Sequence, residues 1–390
     1  MIIKAKNKRF ICINGHPTGC AVNVAKEIEE ARAHVIAGGP LNVLVIGSSN
    51  GFGLSSRITA AYSMGANTMG IFSSKPPREK REATSGWYNS YALTKELEKL
   101  PTTHINLNAD AFAPETKEAA IRIIKERFPE GIDLVVYSIA AARRTVGEET
   151  FKSAIKPIGQ PVKTWDLNLD TGIVSEVELH PGTEEEIEST RRVMGGEDWQ
   201  LWIEALSSAG LLKEDNRTFS YTYIGSSHTR AIYNEGTIGN AKDHLLTTAR
   251  AMNEKGLTKA FVISQPAVIT QSSSVIPSIS LYMTILMDIY REKAYDNSSQ
   301  THTRNTMLEA FLKDPDEVLV INNGYELSDE IQAEVNRRWD RIRAGEALPA
   351  ENGDPAVFRE AFLNNFGFEL DEVDYEKDVD HYLIFEEPQQ

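Results

Sequence analysis

The chain has 390 residues, 41% of them hydrophobic, enough for one large α/β domain or two ordinary ones. A net charge of -15 and a pI near 5.1 argue against nucleic acid as a partner, since phosphate binding needs clustered Lys and Arg. The two cysteines, Cys12 and Cys20, lack a CxxC arrangement and support neither a disulfide framework nor a metal site, which fits the cytoplasm.

The opening run Met1 to Lys6 leads into no apolar stretch of signal-peptide length, and nothing approaches the ~20 apolar residues of a membrane span. Leu41 to Ile46 is a continuous apolar run ending in glycine, the pattern of a strand buried on both faces, and helical spacing follows from Phe52 to Met64. Further buried strands are predicted at Thr68 to Phe72, Thr103 to Leu107 and Leu134 to Tyr137, with a helix over Glu115 to Arg127. Such alternation predicts an α/β fold, a doubly wound parallel Rossmann sheet.

Thr164 to Leu169 and Ile173 to Leu179 alternate apolar and polar residues around Asp170-Thr171-Gly172 and predict an inserted antiparallel hairpin. Glu184 to Leu206 reads as one helix opened by a Thr183/Glu186 capping box. Strand signals resume at Ser220 to Ile224 and Ala260 to Ser264, followed by a Ser-rich turn and an apolar helix from Ile279 to Tyr290. With no linker or repeat between them, a single enlarged domain over 1–390 is expected. Its cofactor-binding core would be 41–150 and 215–290, its insertion 151–214 and its C-terminal elaboration 291–390. The acidic tail from Glu369 to Glu387 reads as a solvated face.

The turn Gly47-Ser48-Ser49-Asn50-Gly51-Phe52-Gly53 follows a strand and opens a helix, where glycines admit a pyrophosphate to a positive helix end. Its Gly-x3-Gly-x-Gly spacing is that of short-chain dehydrogenases; a ligand-free tight turn is the plainer alternative. After the second predicted strand stand Ser73, Ser74 and Lys75, with Arg78, Lys80 and Arg81 beyond, so no acid repels a 2′-phosphate and NADPH stays open beside NADH. The same cations equally well decorate an exposed loop. Asp110 and Ala111 follow the third strand, placed for the adenine edge or for a simple turn; Ser138 and Ile139 end the fourth, beside the nicotinamide ribose or merely well packed.

Tyr233 and Lys242 stand nine positions apart, in Tyr-x8-Lys rather than the usual Tyr-x3-Lys. Gly236 and Gly239 argue against one continuous helix, which predicts Tyr233 on a loop and Lys242 in the first turn of the next helix. A phenol of ordinary pKa about 10 is a poor acid at neutral pH, and a neighbouring ammonium is expected to lower it.

Taken with Tyr-x8-Lys, several segments in order make the chain similar to the trans-2-enoyl-CoA reductases and V-type enoyl-acyl-carrier-protein reductases of the enlarged short-chain dehydrogenase superfamily. These are His16-Pro17-x-Gly19-Cys20, Gly47 to Gly53, Gly86-Trp87-Tyr88-Asn89, Met194 to Trp199, Tyr223-Ile224-Gly225, Glu235 to Gly239, and Gly367 to Asp371 with Val373-Asp374-Tyr375. The resemblance implies NAD(P)H-dependent reduction of the double bond of an enoyl-CoA or enoyl-ACP in fatty acid synthesis. It also implies Tyr233 as proton donor, Lys242 on the cofactor ribose, Tyr223 on substrate and Ala267-Val268-Ile269-Thr270 along the nicotinamide. A monomer with a helical lid over the acyl site is implied as well. Two positions depart from the family pattern: Ser74 replaces the acid that favours NADH, and Pro266 stands where a Lys commonly precedes Ala267. A carbonyl reductase and a non-catalytic nucleotide sensor are the rival readings.

Overall fold

The computed structural model describes residues 1–8, 11–36, 41–271, 276, 278–312, 317–322 and 324–385. The Ser-rich turn at 272–275 and the tail from 386 onward, including Glu387, lie outside the described residues.

Seven parallel strands form the central sheet: Asn42–Ile46, Asn67–Phe72, His104–Asn108, Ile132–Tyr137, Leu212–Thr222, Lys259–Ser264 and Leu319–Ile321. Numbered in chain order they lie side by side as 7-6-5-4-1-2-3, so the order reverses between the first and fourth. Every residue of the first strand is buried, Leu44 and Ile46 into one apolar cluster and Val43 and Val45 into the other. Helices cover both faces, which is why that strand lacks alternation. The seventh strand comes from the region expected to be C-terminal elaboration, so the sheet extends past residue 290. Its three residues carry too short a pattern to register in sequence.

The hairpin forms as Val162–Leu167 against Val174–Leu179. A second, Arg143–Val146 with Glu149–Lys152, was not foreseen. The predicted helix Phe52 to Met64 is an α-helix, Gly51–Ile58, that widens to a π-helical turn at Thr59–Ser63. The helix Glu184 to Leu206 has its capping box but is broken into Glu184–Met194 and Glu197–Ser208. A Cβ at Gly195 would sit 2.7 Å from the His244 ring, and one at Gly196 would sit 2.3 Å from the Thr248 hydroxyl. The glycine pair thus lets the chain bend against helix Thr237–Glu254.

Two ends of the chain interlock. On helix Pro17–Arg32 a Cβ at Gly19 would lie 1.8 Å from the Gly367 carbonyl oxygen, and one at Gly367, at φ +79°, would lie 2.5 Å from the Cys20 nitrogen. His16 N-H donates to the Phe366 carbonyl at 2.9 Å. The His-Pro-x-Gly-Cys and Gly-Phe-Glu motifs are one packing contact. The described acids of the tail, from Glu369 to Asp380, are exposed, but Phe385 packs on Trp87 with ring centroids 4.8 Å apart, and Trp87 Nε1 donates to the Leu383 carbonyl at 2.7 Å.

Candidate active site

The candidate site gathers at the carboxyl ends of the strands, where the strand order reverses and a doubly wound sheet opens a crevice. Gly47 leaves the first strand at φ +91°, and a Cβ there would meet the Ser138 carbonyl at 2.0 Å. A Cβ at Gly53 would in turn meet the Gly47 carbonyl at 2.0 Å, so helix Gly51–Ile58 lies directly on the turn. The turn is pinned by Gly47 N-H and Ser48 N-H donating to the Ile71 carbonyl at 2.8 and 3.0 Å.

Asn50 stands at the N-cap, a position where Asn usually satisfies the helix, yet its side chain makes no cap bond. Its Oδ1 instead accepts from Asn89 Nδ2 at 2.9 Å, and Asn89 also donates to the Ser49 carbonyl at 3.1 Å. The first turn carries no acid. An uncapped helix end with glycines cleared around it fits a dinucleotide pyrophosphate. A Cβ at Gly86 would come within 2.6 to 2.8 Å of Ser74, Asn50 and Ser49, so the Gly86-Trp87-Tyr88-Asn89 motif seats this turn.

Past the second strand, Ser73 is exposed and the Ser74 backbone is clasped by Asn108, at 2.8 Å to its N-H and 3.0 Å to its carbonyl. Lys75, Arg78, Lys80 and Arg81 are all exposed. Asp110 accepts from Phe112 N-H at 3.0 Å, making it the turn residue of its loop, while Ala111 is buried. The Ala111 carbonyl accepts from Lys117 Nζ at 2.9 Å and Trp202 Nε1 at 3.1 Å, and Lys117 is paired with buried Asp198 at 2.8 Å. Asp198 belongs to the Met194-to-Trp199 motif, so that motif holds the loop of Asp110 and Ala111. Nothing in the spacing of Lys117 and Asp198, 81 residues apart, marks the pair in sequence.

Tyr223 follows the fifth strand. Tyr233 ends the one-turn helix Arg230–Tyr233 rather than lying on a loop, and Lys242 is the sixth residue of helix Thr237–Glu254, one turn deeper than expected. The Tyr223 and Tyr233 rings meet edge to face, centroids 5.0 Å apart at 89°. Lys242 Nζ stands 5.5 Å from the first ring centroid and 5.1 Å from the second, and it donates to the Tyr223 carbonyl. Burial lowers its pKa to about 7. The expected acidification of Tyr233 is not found: burial and then the charge of Glu326 raise that phenol above its ordinary value. An amine that itself resists protonation supplies little positive field. Tyr233 is therefore a neutral donor across the physiological range.

Sequence reasoning missed Glu326, whose Oε1 accepts from the Tyr223 hydroxyl at 2.7 Å. The stretch Ala267 to Thr270 follows the sixth strand, with Ala267 and Ile269 buried, Val268 half-buried and Thr270 exposed; Pro266 is buried. Ser138 and Ile139 leave the fourth strand half-buried.

Three family models match in succession: the NAD(P)H binding domain of trans-2-enoyl-CoA reductase over residues 2–79, the trans-2-enoyl-CoA reductase catalytic region over 81–311, and an enoyl reductase FAD binding domain over 316–379. The enoyl-acyl-carrier-protein reductase (NADH) of Flavobacterium johnsoniae is 41% identical, covering 99% of each chain; that of Pseudoalteromonas atlantica is 40% identical, covering 97% of this chain and 98% of its own. The crystal structure of Treponema denticola trans-2-enoyl-CoA reductase with NAD superposes with a TM-score of 0.91 at 34% identity, covering 99% of this chain and all of that one. That of the Clostridium acetobutulicum enzyme with NADH gives 0.90 at 35% identity, covering 98% of each.

Neither helix end among the described residues between 317 and 379 suits a flavin's pyrophosphate. Helix Asp329–Trp339 is capped by its own Ser328 and opens with Asp329 and Glu330; helix Pro355–Asn364 is capped by Asp354. Both helix ends are filled and set against a pyrophosphate.

Proposed function

The chain belongs to the trans-2-enoyl-CoA reductase family, and on that premise we propose that it reduces the carbon-carbon double bond of trans-2-enoyl thioesters in fatty acid synthesis, with NADH or NADPH as reductant. The observation that carries this reading is the mutual contact of Tyr223, Tyr233 and Lys242 past the carboxyl end of the fifth strand, in the same sheet whose first strand ends in a turn cleared for a dinucleotide.

A bound reduced nicotinamide supplies the hydride that adds to the β-carbon of the thioester. The backbone from Gly47 to Gly53 holds its pyrophosphate, Asp110 and Ala111 meet the adenine, and Ser138, Ile139, Val268, Ile269 and Thr270 border the nicotinamide end. Lys242 holds the ribose. Negative charge then builds on the thioester oxygen, where the neutral Tyr233 phenol donates a hydrogen bond, and Tyr223 binds the same end of the substrate. A donor aimed at charge that exists only in the transition state contributes ~3 to 4 kcal/mol. Protonation at the α-carbon completes the saturated product.

None of the described helices is long and apolar enough to cross a membrane. Steady-state kinetics with crotonyl-CoA and longer enoyl thioesters, using each nicotinamide in turn, tests the proposal. Cofactor oxidation that requires the enoyl thioester is expected; turnover of simple ketones instead, or none, would overturn it.

A further inference from the structure

Glu326 lies on the loop between the seventh strand and helix Asp329–Trp339, and only 1% of it is exposed. A buried carboxylate is costly unless its lone pairs are filled, and among the described residues no cation pairs with this one. Three neutral donors fill it instead. Oε1 accepts from the Tyr223 hydroxyl at 2.7 Å and from the Tyr282 hydroxyl at 2.9 Å, while Oε2 accepts from Ala267 N-H at 2.6 Å. Gln332 closes the arrangement, its Nε2 donating to the Glu326 carbonyl at 2.6 Å and to the Tyr282 hydroxyl at 3.1 Å.

The donors come from two sides of the site. Tyr223 follows the fifth strand and touches the Tyr233 ring; Ala267 begins the stretch assigned to the nicotinamide. We propose that Glu326 is a positioning residue for the reduction, its two carboxylate oxygens fixing the substrate-side phenol of Tyr223 and the cofactor-side backbone at Ala267 at one set separation. This rests on the proposed enoyl thioester reduction.

The doubling of donors on Oε1 has a mechanical consequence. While Tyr223 gives its proton to Oε1, that proton is withheld from a substrate. When the hydroxyl turns toward the thioester oxygen, Tyr282 remains on Oε1 and Ala267 N-H on Oε2, so the carboxylate is never left bare. Tyr282 is thus the retained donor that allows Tyr223 to be released. Only hydrogen bonds exchange; no covalent bond changes.

Glu326→Gln keeps the volume but sets an amide group against either Ala267 N-H or the two hydroxyls. We expect it to lower kcat with crotonyl-CoA and NADH at least tenfold, while the Kd for NADH, read by fluorescence, changes less than threefold. In a Tyr223→Phe background the same substitution should lower kcat less than threefold further, because its effect passes through that phenol. Normal turnover by Glu326→Gln, or an undiminished tenfold loss in the Tyr223→Phe background, overturns the proposal. Should Glu326→Gln fail to fold, Tyr282→Phe replaces it: a loss in kcat of threefold or more with an unchanged circular dichroism spectrum supports the retained-donor role, and an unchanged kcat refutes it. A wild-type protein inert toward crotonyl-CoA would instead bring down the underlying activity.

Discussion

Replacing Lys242 with Met isolates the cost of enclosing an amine. Its Nζ lies over two aromatic rings, bonds the Tyr223 carbonyl, and has its pKa lowered from 10.5 to about 7 by burial. Below pH about 7 the amine is protonated in both folded and unfolded chains, and the folded protein bears the whole penalty. Above about 10.5 it is neutral in both, and the penalty vanishes. Between these limits the unfolded chain holds a proton that the folded one has released, so stability rises with pH across that window. At about 1.36 kcal/mol per pH unit the ceiling is about 5 kcal/mol. The side chain is half-buried rather than sealed, and Met forfeits the bond to the carbonyl, which together bring the expected gain to about 2 kcal/mol. Urea melts of wild type and Lys242→Met at pH 6, 8 and 10 measure it. The variant should be inactive yet more stable at pH 6, with the difference closing by pH 10. A variant less stable than wild type at pH 6, or a difference flat across pH, would refute the reasoning.

Tyr233→Phe should cut kcat at least about a hundredfold while NADH binding persists; a rate within threefold of wild type would show that the phenol is not the donor. Asp198→Asn removes the charge that holds Lys117 on the Ala111 carbonyl, and NADH should bind about tenfold more weakly with kcat little changed. Unaltered NADH affinity in that variant would detach the motif from the cofactor.

The strands of the nucleotide half were legible because each is a short apolar run closed by a turn residue, as Asn42–Ile46 is by Gly47. Helix Ser85–Leu97 was not, because its first half, residues 85–90, is buried all round: Asn89 serves the glycine turn, Trp87 and Tyr88 the tail, so that half has no polar face to give it a period. The break at Gly195 and Gly196 was visible as two adjacent glycines, but the reason for it, the approach to His244 and Thr248, is a tertiary fact. Tyr233 and Lys242 stood out by their spacing, and the structure brings them together, whereas Glu326 meets Tyr223 across 103 residues and leaves no local trace. The raised Tyr233 pKa likewise follows from enclosure, which spacing does not encode.

The clasp of Gly19 on Gly367 sets a schedule for biosynthesis. At about 5 to 20 residues per second, roughly 20 to 70 s separate the emergence of these two positions from the ribosome. Throughout that interval the face of the opening helix that carries Gly19 lacks its last partner, although Ala83, Trp87 and Tyr88 have already emerged to pack on Cys20. A ribosome-bound chain stopped before residue 367 should have its Cys20 thiol alkylated faster than that of the finished protein; equal protection in both would mean the helix docks without its last partner.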